Sequence, residues 1–127
     1  LCSDPVLNCR SIDKTLSFYQ QLLQFVIVNK REENGKLQWV HIMHGDTSLM
    51  LQSVDVQVAA MPAAAESKIS IYFFANNIDD MNHYIKAKHK EVSQVVETEY
   101  RMREFSLTDP EGNKVMVGEK IQVLPGQ

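Results

Sequence analysis

The sequence predicts an α+β fold of two βαβββ modules, whose strands form a curved mixed sheet with helices on the outer face and a concave pocket. Three observations support this: short runs alternate apolar and polar residues, two segments show helical spacing, and the order of elements repeats. A chain of 127 residues suits a single domain of two small halves. We place the first module at about 4–54, a linker at about 55–67 and the second module at about 68–120.

The first module opens with a short extended run, PVLNCR, followed by an amphipathic helix from about residue 12 to 24. Ser11 is a suitable N-cap, and apolar residues from Ile12 to Leu23 recur at helical spacing. Three strand candidates come next: FVIVNKR, KLQWVHIM and TSLMLQS. Asn34-Gly35, between the first two, favours positive φ and so predicts a primed hairpin turn.

The segment VDVQVAAMPAAAESK is rich in Ala and contains Pro62, which predicts a linker. The same order of elements then returns. ISIYFFA is a strand, NNIDDMNHYIKAKHK is a helix capped by Asn77, and VSQVVETEY, MREFSLTD and KVMVGEK are strands. Ile12-Asp13 and Ile78-Asp79 lie 66 positions apart at the start of the two helices, which indicates an internal duplication.

The run DPEGN, residues 109–113, separates the last two strands. Pro110 fixes φ, and Gly112 or Asn113 accepts a left-handed backbone. We expect a reverse turn that sets the register of the final strand and makes no ligand contact of its own.

Composition narrows the function classes. The net charge of −3 argues against nucleic-acid binding, which needs clustered Lys and Arg, but leaves room for a modestly cationic ligand. No apolar run approaches the ~20 residues that span a bilayer, and no signal peptide is evident, so we expect no membrane partner. Cys2 and Cys9 make no disulfide framework, and we expect a cytoplasmic protein.

Together with the duplication, two motifs resemble those of the vicinal oxygen chelate superfamily, which includes glyoxalase I, extradiol dioxygenases, fosfomycin-resistance enzymes and bleomycin-resistance proteins. SIDKTLSFYQQLLQF opens the first half and REFSLTDPEGN closes the second. The likeness covers nearly the whole chain. DPVLNCRSIDKTLSFY is most similar to the start of the bleomycin-resistance branch. Gln24 stands where the family customarily has Gly.

The resemblance implies a divalent metal in the concave face, with ligands from the first strand and a later strand of each half. Mapped by register, the four places are Asp4, Gln52, Ser70 and Met116. Asp4 is a possible ligand and Gln52 a weak one, but a Ser hydroxyl is poor and a thioether suits soft ions. We therefore expect no metal and no cofactor, and favour a protein that is not an enzyme.

Histidines do not restore the predicted metal site. His41 alternates with Trp39 and Met43 on the third strand, and it is the residue to test first if chemistry survives. His83 and His89 belong to the second helix, where we expect them to be solvated.

Strand alternation puts aliphatic side chains and Phe73 toward the helices, and an aromatic and polar set on the opposite face. Aromatic walls with a few polar groups are typical of a small-molecule pocket. Arg101, Arg103 and Glu104 fall at its predicted rim, where charges are usually solvated. The predicted ligand-binding residues are Asn8, Trp39, His41, Met50, Gln52, Ser70, Tyr72, Phe74 and Met116.

The sequence thus favours a homodimeric binding protein that sequesters a flat, aromatic or antibiotic-like small molecule without a metal. One alternative is a metal-dependent lyase, transferase or dioxygenase of the same superfamily, using Gln52, His41 and Asp4 in a shifted register. Another is a ligand-sensing or assembly module, in which a second subunit buries Trp39 and Phe74.

Overall fold

A computed structural model describes residues 1, 3–54 and 68–122 of the chain. The chain divides into two compact units, Leu1–Lys68 and Ile69–Gln127. The predicted linker at 55–67 and Cys2 lie outside the described residues.

The first unit contains β1 (Val6–Cys9), α1 (Ile12–Leu23), β2 (Val26–Glu33), β3 (Lys36–His44) and β4 (Thr47–Ser53). Its four strands form one mixed sheet in the order β1-β4-β3-β2. β1 is parallel to β4, and the other pairs are antiparallel. These bounds agree with the predicted helix and strands.

The second unit repeats this order with β5 (Ser70–Phe74), α2 (Ile78–Lys88), β6 (Val96–Glu97), β7 (Met102–Thr108) and β8 (Lys114–Lys120). Its sheet runs β5-β8-β7-β6, again with one parallel pair, β5 and β8. The predicted α+β class and the βαβββ pattern in duplicate are confirmed. That the two sheets curve around one shared concave pocket stays a prediction.

One predicted strand is wrong in length, since only Val96–Glu97 of VSQVVETEY is β-strand. Hydroxyl side chains replace ladder hydrogen bonds on either side of it. The Ser106 amide donates to Ser93 Oγ at 2.8 Å, and the Met102 amide donates to Thr98 Oγ1 at 3.1 Å. Arg101 has a φ of 67° and turns the chain into β7, so pairing stops after two residues.

Each helix covers one face of its own sheet because its apolar residues recur on one side. In the first unit, α1 buries Ile12, Leu16, Tyr19 and Leu23 against its sheet, whose helix-facing side chains include Leu7, Val40, Ile42, Leu49 and Leu51. In the second, Ile78 and Ile85 of α2 are buried with Ile71, Phe105, Leu107, Val115 and Val117. Each such side chain contributes roughly 1.5–3 kcal/mol when fully buried.

Two turns of the first unit use left-handed backbone. Asn34 and Gly35 have φ of 53° and 74°, which confirms the primed hairpin turn between β2 and β3. Gln24 ends α1 with φ 59° and ψ 35°. The Phe25 amide then donates to the Tyr19 carbonyl at 3.1 Å, a bond that closes the helix end. Gln24 therefore adopts the conformation for which Gly is the usual residue.

The DPEGN turn is built around the Asp109 carboxylate, which is 4% exposed. Oδ1 accepts the amides of Glu111 and Asn113 at 2.9 Å each, and Oδ2 accepts Asn113 Nδ2 at 3.0 Å. Asn113 Oδ1 in turn accepts the Ile69 amide at 3.1 Å. The turn thus ties the start of β8 to the start of β5, which confirms its predicted role in fixing register.

Candidate functional site

The first sheet has a helix-free face, opposite α1, on which five of the predicted ligand-binding residues lie together. Residues directly paired across strands share a face. Asn8 pairs with Gln52, Gln52 pairs with Trp39, and His41 pairs with Met50. Trp39 and His41 stand with ring centroids 6.4 Å apart. The predicted strand phase is therefore correct in this module.

Asp4 approaches the same face just before β1. Its Oδ1 accepts a hydrogen bond from Ser48 Oγ at 2.5 Å, and its Oδ2 lies 3.7 Å from His41 Nε2, too far for a hydrogen bond. That ring nitrogen is buried and has no hydrogen-bond partner among the described residues. The structure thus brings together Asp4 and His41, two of the three residues that the metal-dependent alternative would use in a shifted register. Gln52 pairs instead with Asn8 and Trp39.

The second sheet has a helix-free face of its own, opposite α2. Tyr72 pairs with Met116, and Phe74 pairs with Gly118. The Tyr72 and Phe74 rings are 5.1 Å apart at an interplanar angle of 54°, and Phe74 is 80% exposed. Ser70, at the start of β5, is also exposed. The four residues predicted for this module therefore share one face, with the strand phase that alternation predicts.

A carboxylate with two tyrosine donors lies on this second helix-free face. Tyr72 Oη donates to Glu104 Oε2 at 2.9 Å, and Tyr100 Oη donates to Glu104 Oε1 at 2.7 Å. Glu104 is 8% exposed, so the expectation of a solvated rim charge is wrong. The tyrosines draw its side chain down onto the sheet, because their hydroxyls replace the water that a carboxylate otherwise needs.

Gly118 makes the bond between Tyr72 and Glu104 possible. Tyr72 lies on β5 and Glu104 on β7, with β8 between them. A Cβ built on Gly118 would lie 2.9 Å from Tyr72 Cε1 and closer still to the hydroxyl oxygen. The phenol end of Tyr72 therefore crosses β8 at the one residue with no side chain, a close approach for which strands use glycine.

Both tyrosines hold their protons tightly. Burial, followed by the hydrogen bond to Glu104, raises the pKa of Tyr72 to about 12. The hydrogen bond to Glu104 is the main cause of the raised pKa of Tyr100. Deprotonating either phenol would place a second negative charge against the carboxylate. At neutral pH the two hydroxyls therefore act as donors.

Of the other predicted rim charges, Arg101 is exposed and Arg103 is directed to the opposite face. Arg103 pairs with Glu119 across the strands, on the α2 side of the sheet, and its guanidinium bonds both oxygens of Asp79 at 2.7 and 2.9 Å. Of the two helix histidines, His83 is exposed as predicted, but His89 is half-buried. α2 ends at Lys88 and His89 has an extended backbone, so its ring does not follow the exposed side of the helix.

The strand register corrects one of the four positions at which the family resemblance places metal ligands. Met50 and Met116 lie 66 positions apart and pair with the equivalent residues Val6 and Tyr72. The counterpart of Met116 in the first module is therefore Met50, whereas Gln52 corresponds to Gly118. A thioether at both places does not suit a hard divalent ion. Within residues 3–54 and 68–122, no three His, Cys, Asp or Glu side chains cluster to hold a metal.

Tyr100 and Gly118 are residues that sequence reasoning did not place in the site, and it placed Glu104 only at the rim. Two signals were available. Gly118 interrupts the strand KVMVGEK, and glycine inside a strand often marks close approach. Glu104 alternates with Ser106 along β7, which puts it on the helix-free face.

No helix among the described residues is long and apolar enough to cross a membrane. A search of curated proteins gives no match.

Known structures share the fold. A bleomycin-binding protein complexed with bleomycin has a TM-score of 0.72 at 19% identity, covering 94% of this chain and 98% of that one. TnmS3, an antibiotic binding protein from Streptomyces sp. CB03234, has a TM-score of 0.69 at 14% identity, covering 94% and 97%. Lactoylglutathione lyase from Agrobacterium tumefaciens has a TM-score of 0.70 at 20% identity, covering 93% and 92%.

The sequence itself carries the family assignment. The family model of the Glyoxalase/Bleomycin resistance protein/Dioxygenase superfamily matches residues 4–117, which include the four strands and the helix of the first module and most of the second. The duplicated βαβββ order agrees with it. This chain belongs to the glyoxalase/bleomycin resistance protein/dioxygenase superfamily.

Proposed function

We propose that this protein binds a flat aromatic small molecule, of antibiotic type, without a metal ion. The observation that carries the proposal is the pair of rings on the second helix-free face. Phe74 is 80% exposed, and its ring centroid lies 5.1 Å from that of Tyr72. Tyr72 pairs with Met116, which stands at a position where metal-dependent relatives have a ligand. An exposed ring next to a second ring and a thioether offers stacking and adaptable contact.

The proposed ligand-contacting residues are the nine predicted from the sequence. In the first module, Trp39 supplies a further aromatic surface, with polar Asn8 and Gln52 in adjacent pairs. Bleomycin-binding and antibiotic-binding proteins among the structural neighbours support a binding role. We propose that the protein sequesters its ligand as a homodimer in the cytoplasm, which would confer resistance to a toxic compound.

Calorimetry with bleomycin and with planar aromatic compounds tests the proposal. Stacking between two rings contributes about 0.5–1.5 kcal/mol, so Phe74→Ala should weaken binding roughly two- to tenfold. Trp39→Ala should be measured separately. Tyr84→Ala is the matched control, because Tyr84 is an aromatic residue of the same module on α2. Equal binding by F74A and wild type, or failure of every compound tested, would reject the proposal.

Assembly is a second candidate, because the exposure of Phe74 also suits a subunit interface. Measuring the oligomeric state of Phe74→Ser by analytical ultracentrifugation distinguishes assembly from ligand binding. Loss of a dimer with unchanged ligand affinity would favour assembly.

A metal-dependent enzyme is a third candidate, supported by the 3.7 Å approach of Asp4 to His41. Metal analysis of protein purified without chelators discriminates, since a near-stoichiometric divalent ion would favour the enzyme.

A further inference from the structure

Glu104 is a buried carboxylate that forms no ion pair with any residue that the structure describes. Lys30 pairs with Glu32 and Arg103 pairs with Asp79, while the His41 ring lies near Asp4; no described cation pairs with Glu104. A carboxylate offers about four acceptor positions, of which the tyrosine hydroxyls take two. Burying a charge is costly unless it is paired. The site therefore carries negative charge that this part of the chain does not neutralise.

The surroundings of that charge are aromatic. Tyr72 and Tyr100 both point their hydroxyls at it, and Phe74 lies against Tyr72. A phenol that donates to a carboxylate keeps its own ring electron-rich, and a ring face near a negative charge attracts cations. Three strands supply the arrangement, with β5 giving Tyr72, β7 giving Glu104 and β8 giving the gap at Gly118.

We propose that the second module recognises the positive charge of a planar aromatic cation, with Glu104 as the counter-charge and Tyr72 and Phe74 as the ring surface. This inference rests on the proposed aromatic-binding function and narrows its ligand to compounds such as quinolinium-type heterocycles or aryl ammonium ions. The arrangement disfavours carboxylate ligands, since these would place two negative charges together.

Three probes of similar shape test the charge preference: N-methylquinolinium, neutral methylnaphthalene and anionic naphthoate. Their affinities for the full chain are compared by NMR titration at constant ionic strength. We expect the cation to bind at least about fivefold more tightly than the neutral probe, and naphthoate to bind most weakly. Equal affinities for cation and neutral compound, or a preference for naphthoate, would overturn the inference while leaving aromatic binding intact. No binding by any probe would overturn both.

Single substitutions test whether Glu104 causes the preference for the cationic probe. Glu104→Gln keeps the shape of the side chain and removes its charge, so the preference for the cation should fall to about twofold or less with the neutral probe unaffected. Glu119→Gln is the matched control, because Glu119 lies on β8 and on the opposite face, and it should retain the preference. If E119Q loses as much of the preference for the cation as E104Q does, the preference comes from net charge, and its assignment to Glu104 fails. Since the wild-type comparison needs no variant, poor folding of E104Q leaves the inference testable.

Discussion

Gly118→Ala tests the account of the Tyr72–Glu104 contact. The new Cβ would collide with the phenol end of Tyr72. A tyrosine ring has only two side-chain torsions, so Tyr72 must swing away from Glu104 and break the 2.9 Å hydrogen bond.

The expected change in the free energy of unfolding is the sum of two opposing effects. A hydrogen bond to a charged group contributes about 1.5–3 kcal/mol. Replacing Gly by Ala within a strand recovers about 0.5–1 kcal/mol, since Gly loses more backbone entropy on folding. We therefore expect G118A to lower the free energy of unfolding by about 1–2 kcal/mol.

A double-mutant cycle isolates the cause. When Tyr72→Ala is already present, the Cβ at 118 no longer meets a phenol, and Gly118→Ala should be neutral or stabilising by up to about 1 kcal/mol. Equilibrium urea unfolding of wild type, both single variants and the double variant gives the coupling. An equal loss from G118A in both backgrounds would refute the reasoning.

Three further predictions concern single groups. The raised pKa of Tyr72, about 12 against an ordinary 10.0, means that the folded state holds this proton more tightly than the unfolded state. Its stabilisation is therefore complete below pH 10 and is lost as pH rises toward 12. Phenolate absorbance should show this late titration in wild type, and Tyr72→Phe should titrate one phenol fewer in that range. Asp109→Ala removes the acceptor of three hydrogen bonds and should cost about 3 kcal/mol or more in urea unfolding, whereas Asp109→Asn should cost less; equal losses would contradict the turn geometry. Gln24→Gly relieves a left-handed residue with φ 59° and should raise the free energy of unfolding by about 0.5–1 kcal/mol, while an equal gain from Gln24→Ala would exclude that cause.

The fold was predictable because local signals agree with one another. Helical and alternating periods, the Asn34-Gly35 turn and the DPEGN turn each specify an element or a connection, and the strand phase follows from alternation. The length of β6 was not predictable, because Ser93 and Thr98 pair through side chains where the sequence reads as an extended run.

The site was predictable only in part. Alternation places Tyr72, Phe74 and Met116 on one face, but it does not show which residues face each other across strands. The bond from Tyr72 to Glu104 crosses an intervening strand, so it depends on the register of three strands at once. The same register made Met50, rather than Gln52, the counterpart of Met116.

NMR titration of chelator-treated protein with N-methylquinolinium tests most directly whether the second helix-free face binds an aromatic ligand without a metal. We predict saturable shifts in the ring resonances of Tyr72 and Phe74, with those of Phe105, which is buried on the α2 side, unchanged. Binding that appears only after a divalent metal is added, or shifts that leave Tyr72 and Phe74 unaffected, would contradict the account.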